Sequence, residues 1–85
     1  MRKEDLIESG FEMVFVPIEE SGDEADYYYY KYEINPDVIL LSNSSDEINN
    51  NRWKVYEHSW GIAINDIDDV HTLINLFKKW SKIPL

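Results

Sequence analysis

The sequence predicts an α+β fold: a short N-terminal helix, a four- or five-stranded antiparallel meander sheet, and a C-terminal amphipathic helix packed on one face of that sheet. Between residues 11 and 64, short segments rich in aromatic and β-branched residues alternate with turn signals. Residues 65–82 instead space their apolar side chains at the period of an α-helix. A chain of 85 residues supports one hydrophobic core, so we expect a single domain, 1–85, that binds at an outer surface.

The first two elements are predicted to be a helix and an edge strand. The helix runs from Arg2 to Glu8 with Leu6 and Ile7 facing inward, and Gly10 ends it. The segment FEMVFVPI then alternates, and Pro17 restricts this strand to an edge or an end of the sheet. Its two faces carry Phe11, Met13 and Phe15 on one side, and Val14, Val16 and Ile18 on the other.

The segment DEADYYYYKYEINPD contains four consecutive tyrosines and a fifth two residues later. Aromatic side chains favour strands, and a strand sends successive side chains to opposite faces. The expected inward set is Tyr28, Tyr30, Tyr32 and Ile34, and the outward set is Tyr27, Tyr29, Lys31 and Glu33. Pro36 favours a turn, and the apolar run from Val38 to Ser42 predicts a central strand covered on much of both faces.

The remaining sheet segments follow a polar hairpin connection at residues 42–51. RWKVY and WGIAI both alternate, and they form either one bent strand or two. The expected inward residues are Trp53, Val55, Trp60, Ile62 and Ile64, and the outward residues are Arg52, Lys54 and Tyr56.

The C-terminal helix is predicted by the segment NDIDDVHTLINLFKKWSK. Asn65 or Asp66 caps it, and the acids of its first turn and the lysines of its last turn oppose the helix dipole. Its apolar face consists of Val70, Leu73, Ile74, Phe77 and Trp80. We expect that face to cover Tyr28, Tyr30, Tyr32, Trp53, Val55 and Ile62 on the sheet.

Composition narrows the classes of function. The 17 acidic and 8 basic side chains give a formal net charge of −9, which disfavours direct binding to nucleic acid or to an anionic membrane and favours a basic partner. Without cysteine there is no disulfide framework and no thiolate metal site or nucleophile. The N-terminal residues match neither a signal peptide nor a membrane anchor, so we expect a cytoplasmic protein.

Two histidine-containing segments resemble a metal site or a catalytic pair, but the residue pattern disfavours both. Asp66 to His71 offers carboxylates beside an imidazole, but helix capping accounts for the acids and the calcium-loop spacing is absent. His58 and Ser59 are a base beside a hydroxyl, yet neighbouring residues on a strand point to opposite faces. The sequence therefore predicts a non-enzymatic protein with no metal or other cofactor.

We define the acidic segment as Glu19 to Asp26, which has no cation within it. It is either a solvated loop between two strands or a mobile negative arm beside the outward tyrosines. Carboxylates next to rigid aromatic rings suit a surface rich in Lys and Arg, because the acids pair with cations while the rings supply contact area. The candidate partner-binding residues are Glu19, Glu20, Asp23, Glu24, Asp26, Tyr27 and Tyr29.

The stretches RKEDLIESGFE and INDIDDVHTLINLFKKW together resemble a loose class of short acidic α+β proteins encoded by bacteriophages and mobile elements. That class includes anti-CRISPR proteins, several of which occupy basic nucleic-acid channels as acidic decoys. The resemblance spans the chain in layout. It implies an acidic surface directed at the nucleic-acid-binding groove of a host enzyme.

Two functional hypotheses follow from the sequence. In the first, the protein is an inhibitor that engages a basic protein surface through the acidic segment and the neighbouring tyrosines. In the alternative, it is a structural or homo-oligomeric module in which Tyr27, Tyr29 and Tyr56 form a patch that a second copy covers.

Overall fold

The computed structural model describes residues 1–22, 26–59 and 61–81, and the side chains of Glu20, Ser21 and Ser81 are not described. It contains three helices, five strands and one 3₁₀ turn in the described residues. They are α1 Lys3–Glu8, β1 Glu12–Val16, α2 Ile18–Ser21, β2 Tyr27–Asn35, β3 Val38–Ser42, the 3₁₀ turn Ser45–Glu47, β4 Val55–Glu57, β5 Ala63–Ile64 and α3 Ile67–Ser81. The predicted α+β architecture is confirmed.

The sheet is an antiparallel meander in the order β1-β2-β3-β4-β5. The apolar run predicted as a central strand is β3, which has two strands on each side. Met13 of β1 lies opposite Tyr30, and Phe15 lies opposite Tyr28. Because cross-strand partners point to the same face, this register fixes which side chains share each side of the sheet.

One face of the sheet, the inner face, carries the core. Leu6 from α1 and Val70 and Ile74 from α3 are buried there against the strands. The strand residues and neighbours in this cluster are Phe11, Tyr30, Leu40, Trp53 and Val55. Helices α1 and α3 therefore cover the same side of the sheet, as a thin two-layer domain requires.

Aromatic packing at the inner face explains half of the tyrosine run. The Trp53 ring centroid lies 5.2 Å from that of Tyr30 and 5.9 Å from that of Tyr28, and Tyr28 meets Tyr30 edge-on at 5.9 Å. Tyr32 packs against Phe11 at 5.3 Å. Offset and edge-on pairs of this kind stabilise a core beyond the area they bury. The inward prediction for the even-numbered tyrosines is confirmed.

Asn51 joins the N-terminal segment to this aromatic cluster. Its backbone is left-handed at φ 56°, a conformation that asparagine tolerates better than most residues. Its side-chain oxygen accepts the Trp53 indole N–H at 2.9 Å, and its amide donates to Glu4 at 3.3 Å. The Trp53 backbone N–H also donates to the Met1 carbonyl at 2.7 Å. The indole and the first residues are thereby fixed together.

Gly10 ends α1 as predicted. Its φ of 97° lies in the region that side chains avoid, and its N–H donates to the Ile7 carbonyl at 3.1 Å. A Cβ at this position would also meet the Tyr32 ring at 3.4 Å.

Four inward predictions were wrong or only partly right. Ile7 is exposed, because α1 is only six residues long and buries the single stripe that contains Leu6. Ile62 is 70% exposed, because β5 begins at Ala63 and leaves Ile62 in the preceding connection. Trp80 is 55% exposed and Phe77 is half-buried.

The exposure of Phe77 and Trp80 is explained by the final turns of α3. Lys78 Nζ is 5.3 Å from the centroid of the Tyr32 ring, so the last turn places a cation over this ring. Phe77 and Trp80 pack edge-on against each other at 5.4 Å. The apolar face of α3 therefore extends beyond the buried core, which it reaches through Val70 and Ile74.

Two further features refine the sequence prediction. Residues 52–64 form two strands, β4 and β5, in which Val55 lies opposite Ile64. The inward predictions for Val55 and Trp53 are confirmed, whereas Trp60 lies outside the described residues. Asp66 caps α3, because its Oδ1 accepts the Asp68 N–H at 2.8 Å.

Truncating a core residue tests this packing. We expect Leu40→Ala to lower the free energy of unfolding by about 2–5 kcal/mol, because Leu40 is fully buried. Phe77→Ala should cost less than about 2 kcal/mol, since part of its ring is already in water. Urea denaturation measures both, with exposed Ile62→Ala as the control. A larger loss for Phe77→Ala than for Leu40→Ala would contradict the assigned core.

Tyr30 should also make stability pH-dependent. Burial raises the pKa of its phenol, and the neighbouring Tyr28 and Glu4 raise it further. The unfolded chain loses this proton near pH 10, before the folded chain does, so the contribution is present below about pH 10 and is lost as pH rises. Absorbance titration near 295 nm should show a late tyrosine that Tyr30→Phe removes. Removal of an early-titrating component instead would contradict this assignment.

Candidate functional site

The sheet face opposite the core, the outer face, holds the other half of the tyrosine run. Lys31 lies opposite both Glu12 and Leu41, and Leu41 lies opposite Tyr56. Neither α1 nor α3 covers this side, since their buried residues belong to the inner cluster. The half-buried outer-face residues are Val14, Val16, Tyr27, Tyr29, Lys31, Ile39, Leu41 and Tyr56. The outward predictions for Tyr27, Tyr29 and Tyr56 are confirmed.

A shallow depression lies among the three tyrosines of the outer face. Its volume is about 160 Å³, and it is lined by Tyr27, Tyr29, Leu41, Ser42, Ser44 and Tyr56. Rigid aromatic rings around a shallow depression suit contact with another macromolecule, because they offer area at low cost in side-chain entropy. The depression is too small to enclose a drug-sized ligand.

A larger open groove of about 710 Å³ adjoins it and shares Tyr56. Arg52 and Lys54 line this groove together with Glu47. Both cations are exposed, as the sequence pattern predicts. The groove's full lining is Asn43, Glu47, Asn49, Arg52, Lys54, Tyr56, Gly61 and Ala63. The outer face is therefore not uniformly acidic, because two cations lie on its β4 side.

The acidic segment begins at the opposite side of the sheet. It leaves β1 through Pro17 and enters β2 at Tyr27, which lies opposite Val16. The outer face thus carries carboxylates at the β1–β2 corner, Lys31 on β2 opposite Glu12, and Arg52 and Lys54 beside Glu47 on the β4 side. A partner would meet both signs in a fixed order, which favours one orientation of binding.

The sequence left the acidic segment as either a solvated loop or a mobile arm, and the structure shows that its first residues are helical. Its first residues belong to α2, a single helical turn, which Gly22 ends in the left-handed conformation at φ 72°. The carboxylate of Asp26 accepts the Ile18 N–H at 2.6 Å. This bond ties the end of the segment to its beginning and satisfies a donor at the start of the turn.

The seven candidate residues are therefore unequally placed. Glu19 and Asp26 are exposed, and Tyr27 and Tyr29 are half-buried on the outer face. Asp23 and Glu24 lie outside the described residues, as does the side chain of Glu20. The structure brings Asp26, Tyr27 and Tyr29 together at one corner of the sheet.

Glu57 is a feature that the sequence pattern did not reveal. Its side chain is 3% exposed because Glu57 lies opposite Leu40, in the inner-face register. One carboxylate oxygen accepts the Ser59 N–H at 2.8 Å. The other is 2.8 Å from His58 Nδ1 but forms no hydrogen bond. Glu57 lies two residues after the inward-facing Val55, so strict alternation would have placed it on the inner face. A charged residue at such a position is usually expected to face solvent instead.

His58 and Ser59 lie closer together than expected. They occupy a turn after β4 rather than a strand, so Ser59 Oγ approaches His58 Nε2 to 3.4 Å. A nucleophile–base–carboxylate relay needs aligned hydrogen bonds at both ring nitrogens. The Glu57 oxygen nearest the ring has none. This geometry does not assemble a hydrolytic triad.

His71 pairs with Ser9 rather than with the nearby acids of α3. Its Nε2 is 2.6 Å from Ser9 Oγ, and the same hydroxyl donates to the Asp5 carbonyl at 2.7 Å. When the hydroxyl proton lies in that bond, the imidazole donates to the Ser9 oxygen. The contact joins α1 to α3. Within residues 1–22, 26–59 and 61–81, no cluster of potential metal ligands is present.

Comparison of the chain with protein-family models, with curated proteins and with solved structures finds no match. In the part of the chain that the structure describes, no helix is long and apolar enough to span a membrane. Functional inference therefore rests on the geometry and charge of the outer face and its acidic corner.

Proposed function

We propose that this protein is a non-enzymatic binding protein whose acidic segment and outer-face tyrosines engage a basic protein surface. The observation that carries the proposal is the position of Asp26, Tyr27 and Tyr29 at one corner of an open sheet face. In this proposal the partner surface is the nucleic-acid groove of a host enzyme, and the protein acts as a phage-encoded inhibitor of the anti-CRISPR or anti-defence type. It then functions in the cytoplasm of the host cell.

Charge supports this choice of partner. A net charge of −9 on 85 residues attracts a cationic groove over long range and repels nucleic acid itself. The bond from the Ile18 N–H fixes the carboxylate of Asp26 beside the start of α2, which reduces the freedom that this side chain would lose on binding. Arg52 and Lys54 lie away from this corner and repel a cationic partner that approaches in the reverse orientation.

The tyrosines supply a different part of the binding energy. Tyr27 and Tyr29 line the shallow depression and hold their rings on a strand, so they lose little entropy when covered. Charged residues at a rim mainly govern the association rate, whereas a buried aromatic anchor governs dissociation. The two groups should therefore be separable by kinetics.

A second candidate function is supported by the same depression. Tyr56 contributes to it together with Tyr27 and Tyr29, so the three form one continuous patch. In that alternative the patch is the interface of a homo-oligomeric or structural module, and the acids keep the assembly in solution.

Neutralising the acidic segment tests the leading proposal. We expect replacement of Glu19, Glu20, Asp23, Glu24 and Asp26 by Gln or Asn to slow association, because long-range attraction is lost. Asn at position 26 keeps the oxygen that accepts the Ile18 N–H. Binding of the parent should weaken as salt rises, since screening acts over about 8 Å at physiological ionic strength. Surface plasmon resonance against a candidate basic enzyme measures both effects, and nucleic acid should compete.

A matched control removes five acids elsewhere on the surface. Its substitutions are Glu8→Gln, Asp37→Asn, Asp46→Asn, Asp68→Asn and Asp69→Asn, at residues that are all exposed. Both variants have the same net charge, so only the position of the charge differs. If the two variants bind equally well, net charge alone drives association and the acidic segment is not the site.

Replacing Tyr29 addresses the aromatic part. We expect Tyr29→Ala to raise the dissociation rate by about tenfold or more with little change in the association rate, if the ring is an interfacial anchor. Tyr32→Phe, on the inner face, serves as the control. An unchanged dissociation rate for Tyr29→Ala would show that Tyr29 is not part of the interface.

A further inference from the structure

The open edge of the sheet at β1 presents apolar side chains to solvent. Met13 is 57% exposed and Phe15 is 54% exposed, although both lie on the inner face. β1 pairs only with β2 among the described strands, so its other edge has no strand beside it. Edge strands of soluble proteins commonly carry Lys, Pro or a bulge that blocks pairing. Glu12 and Pro17 stand at the two ends of β1, but the residues between them, Met13 to Val16, include no charged residue, no Pro and no bulge.

The register shows which main-chain groups point to that edge. The Tyr30 N–H donates to Ser42 Oγ at 2.8 Å, on the β3 side of β2. In an antiparallel ladder, a residue's N–H and C=O face the same neighbour, and the direction alternates along the strand. Tyr30 therefore faces β3, and its partner Met13 faces away from β2, as does Phe15 two residues on.

The hydrogen bonds between β3 and β4 agree with this direction. The Asn43 N–H donates to the Lys54 carbonyl at 3.3 Å, and the His58 N–H donates to the Ile39 carbonyl at 3.1 Å. Odd-numbered residues of β3 thus face β4, and the even-numbered ones face β2. Met13 and Phe15, whose apolar side chains are exposed at the β1 edge, therefore also have outward main-chain groups.

We propose that two copies of this chain dimerise by antiparallel pairing of β1 with β1, about a two-fold axis at Val14. In this register Met13 lies opposite Phe15 of the second copy, so each supplies the N–H and C=O that the other needs. The two Met13–Phe15 pairs bring four exposed apolar side chains together on one face. The dimer is a continuous ten-stranded sheet.

Charge placement favours a second copy as the occupant of this edge. The same register puts Glu12 opposite Val16, so no like charges face each other within the strand pair. A two-fold axis perpendicular to the sheet keeps both outer faces on the same side. The proposed partner-binding corners then remain uncovered and are presented twice.

The opposing force is the −9 charge of each copy. One strand pair is a small interface, so we expect a dissociation constant on the order of 1–100 μM. Added salt should strengthen the dimer, because it screens the repulsion. That sign is opposite to the one expected for binding a basic partner. Failure of either proposal is therefore recognisable without the other.

Sedimentation equilibrium of charge variants tests the pairing and its register. We expect Met13→Lys with Phe15→Lys to raise the dissociation constant about tenfold or more, because each lysine meets another across the axis. Met13→Lys with Phe15→Glu should restore the dimer, since each lysine then faces a glutamate. Ile7→Lys with Ile62→Lys, which alters two exposed apolar residues elsewhere, is the charge-matched control for the first variant. It should not raise the constant, and it should lower it slightly, because two added cations reduce the repulsion between copies.

Amide hydrogen exchange provides a second readout that does not depend on substitution. The N–H groups of Met13 and Phe15 should become protected as protein concentration rises, whereas Val14 should be protected at every concentration by its bond to β2. The proposal is overturned by a chain that stays monomeric at several hundred micromolar. It is equally overturned by a dimer that survives both lysines at β1 but is lost in Tyr29→Ala, which would place the interface on the outer face.

Discussion

The alternation of β2 is the constraint on which the rest of the structure depends. Tyr28 and Tyr30 point inward to meet Trp53, and Trp53 is in turn fixed through Asn51 and the Met1 carbonyl. Because a strand has a period of two, the inward direction of Tyr28 and Tyr30 places Tyr27 and Tyr29 on the outer face. A one-residue slip would exchange the two sets and expose the core. The inner packing therefore determines the composition of the outer surface.

This coupling places Tyr27 and Tyr29 on the outer face, where we propose that a partner binds. The open sheet face carries three tyrosines around a shallow depression, and an adjoining groove holds Arg52 and Lys54. Two potentially reactive groups lie elsewhere in the described residues. The Ser9 hydroxyl donates to the Asp5 carbonyl, and the Glu57 oxygen beside His58 has no aligned hydrogen bond. These contacts are part of the basis on which we propose a binding function.

The proposed self-association and the proposed partner binding use different parts of the sheet. The β1 edge offers main-chain groups and the side chains of Met13 and Phe15, whereas the acidic corner and tyrosines belong to the outer face. Pairing at the edge would leave that face open. It would also give each assembly two corners, which raises apparent affinity for a partner with repeated sites. The long-range repulsion between copies limits this pairing to a weak interaction.

The sequence by itself determined the secondary structure wherever a local period was strong. The β3 run, the inward and outward tyrosines, and the capped α3 all follow from spacing and propensity, and they appear in the structure at the expected residues. The sequence also determined the charge and the proximity of the acidic segment to Tyr27. Whether the acids act on a partner is a matter of association, which local pattern does not encode.

Only the tertiary structure decided which apolar residues are covered. Ile62 and Trp80 fit their patterns but are exposed, because coverage depends on where a neighbouring element ends. Glu57 fits a solvent-facing charge but is buried, because its register opposite Leu40 places it on the inner face. The open edge at Met13 and Phe15 likewise follows from strand order. The physical reason is common to all of these: burial and pairing are set by contacts between segments distant in sequence, whereas periodicity reports only which side of its own element a residue occupies.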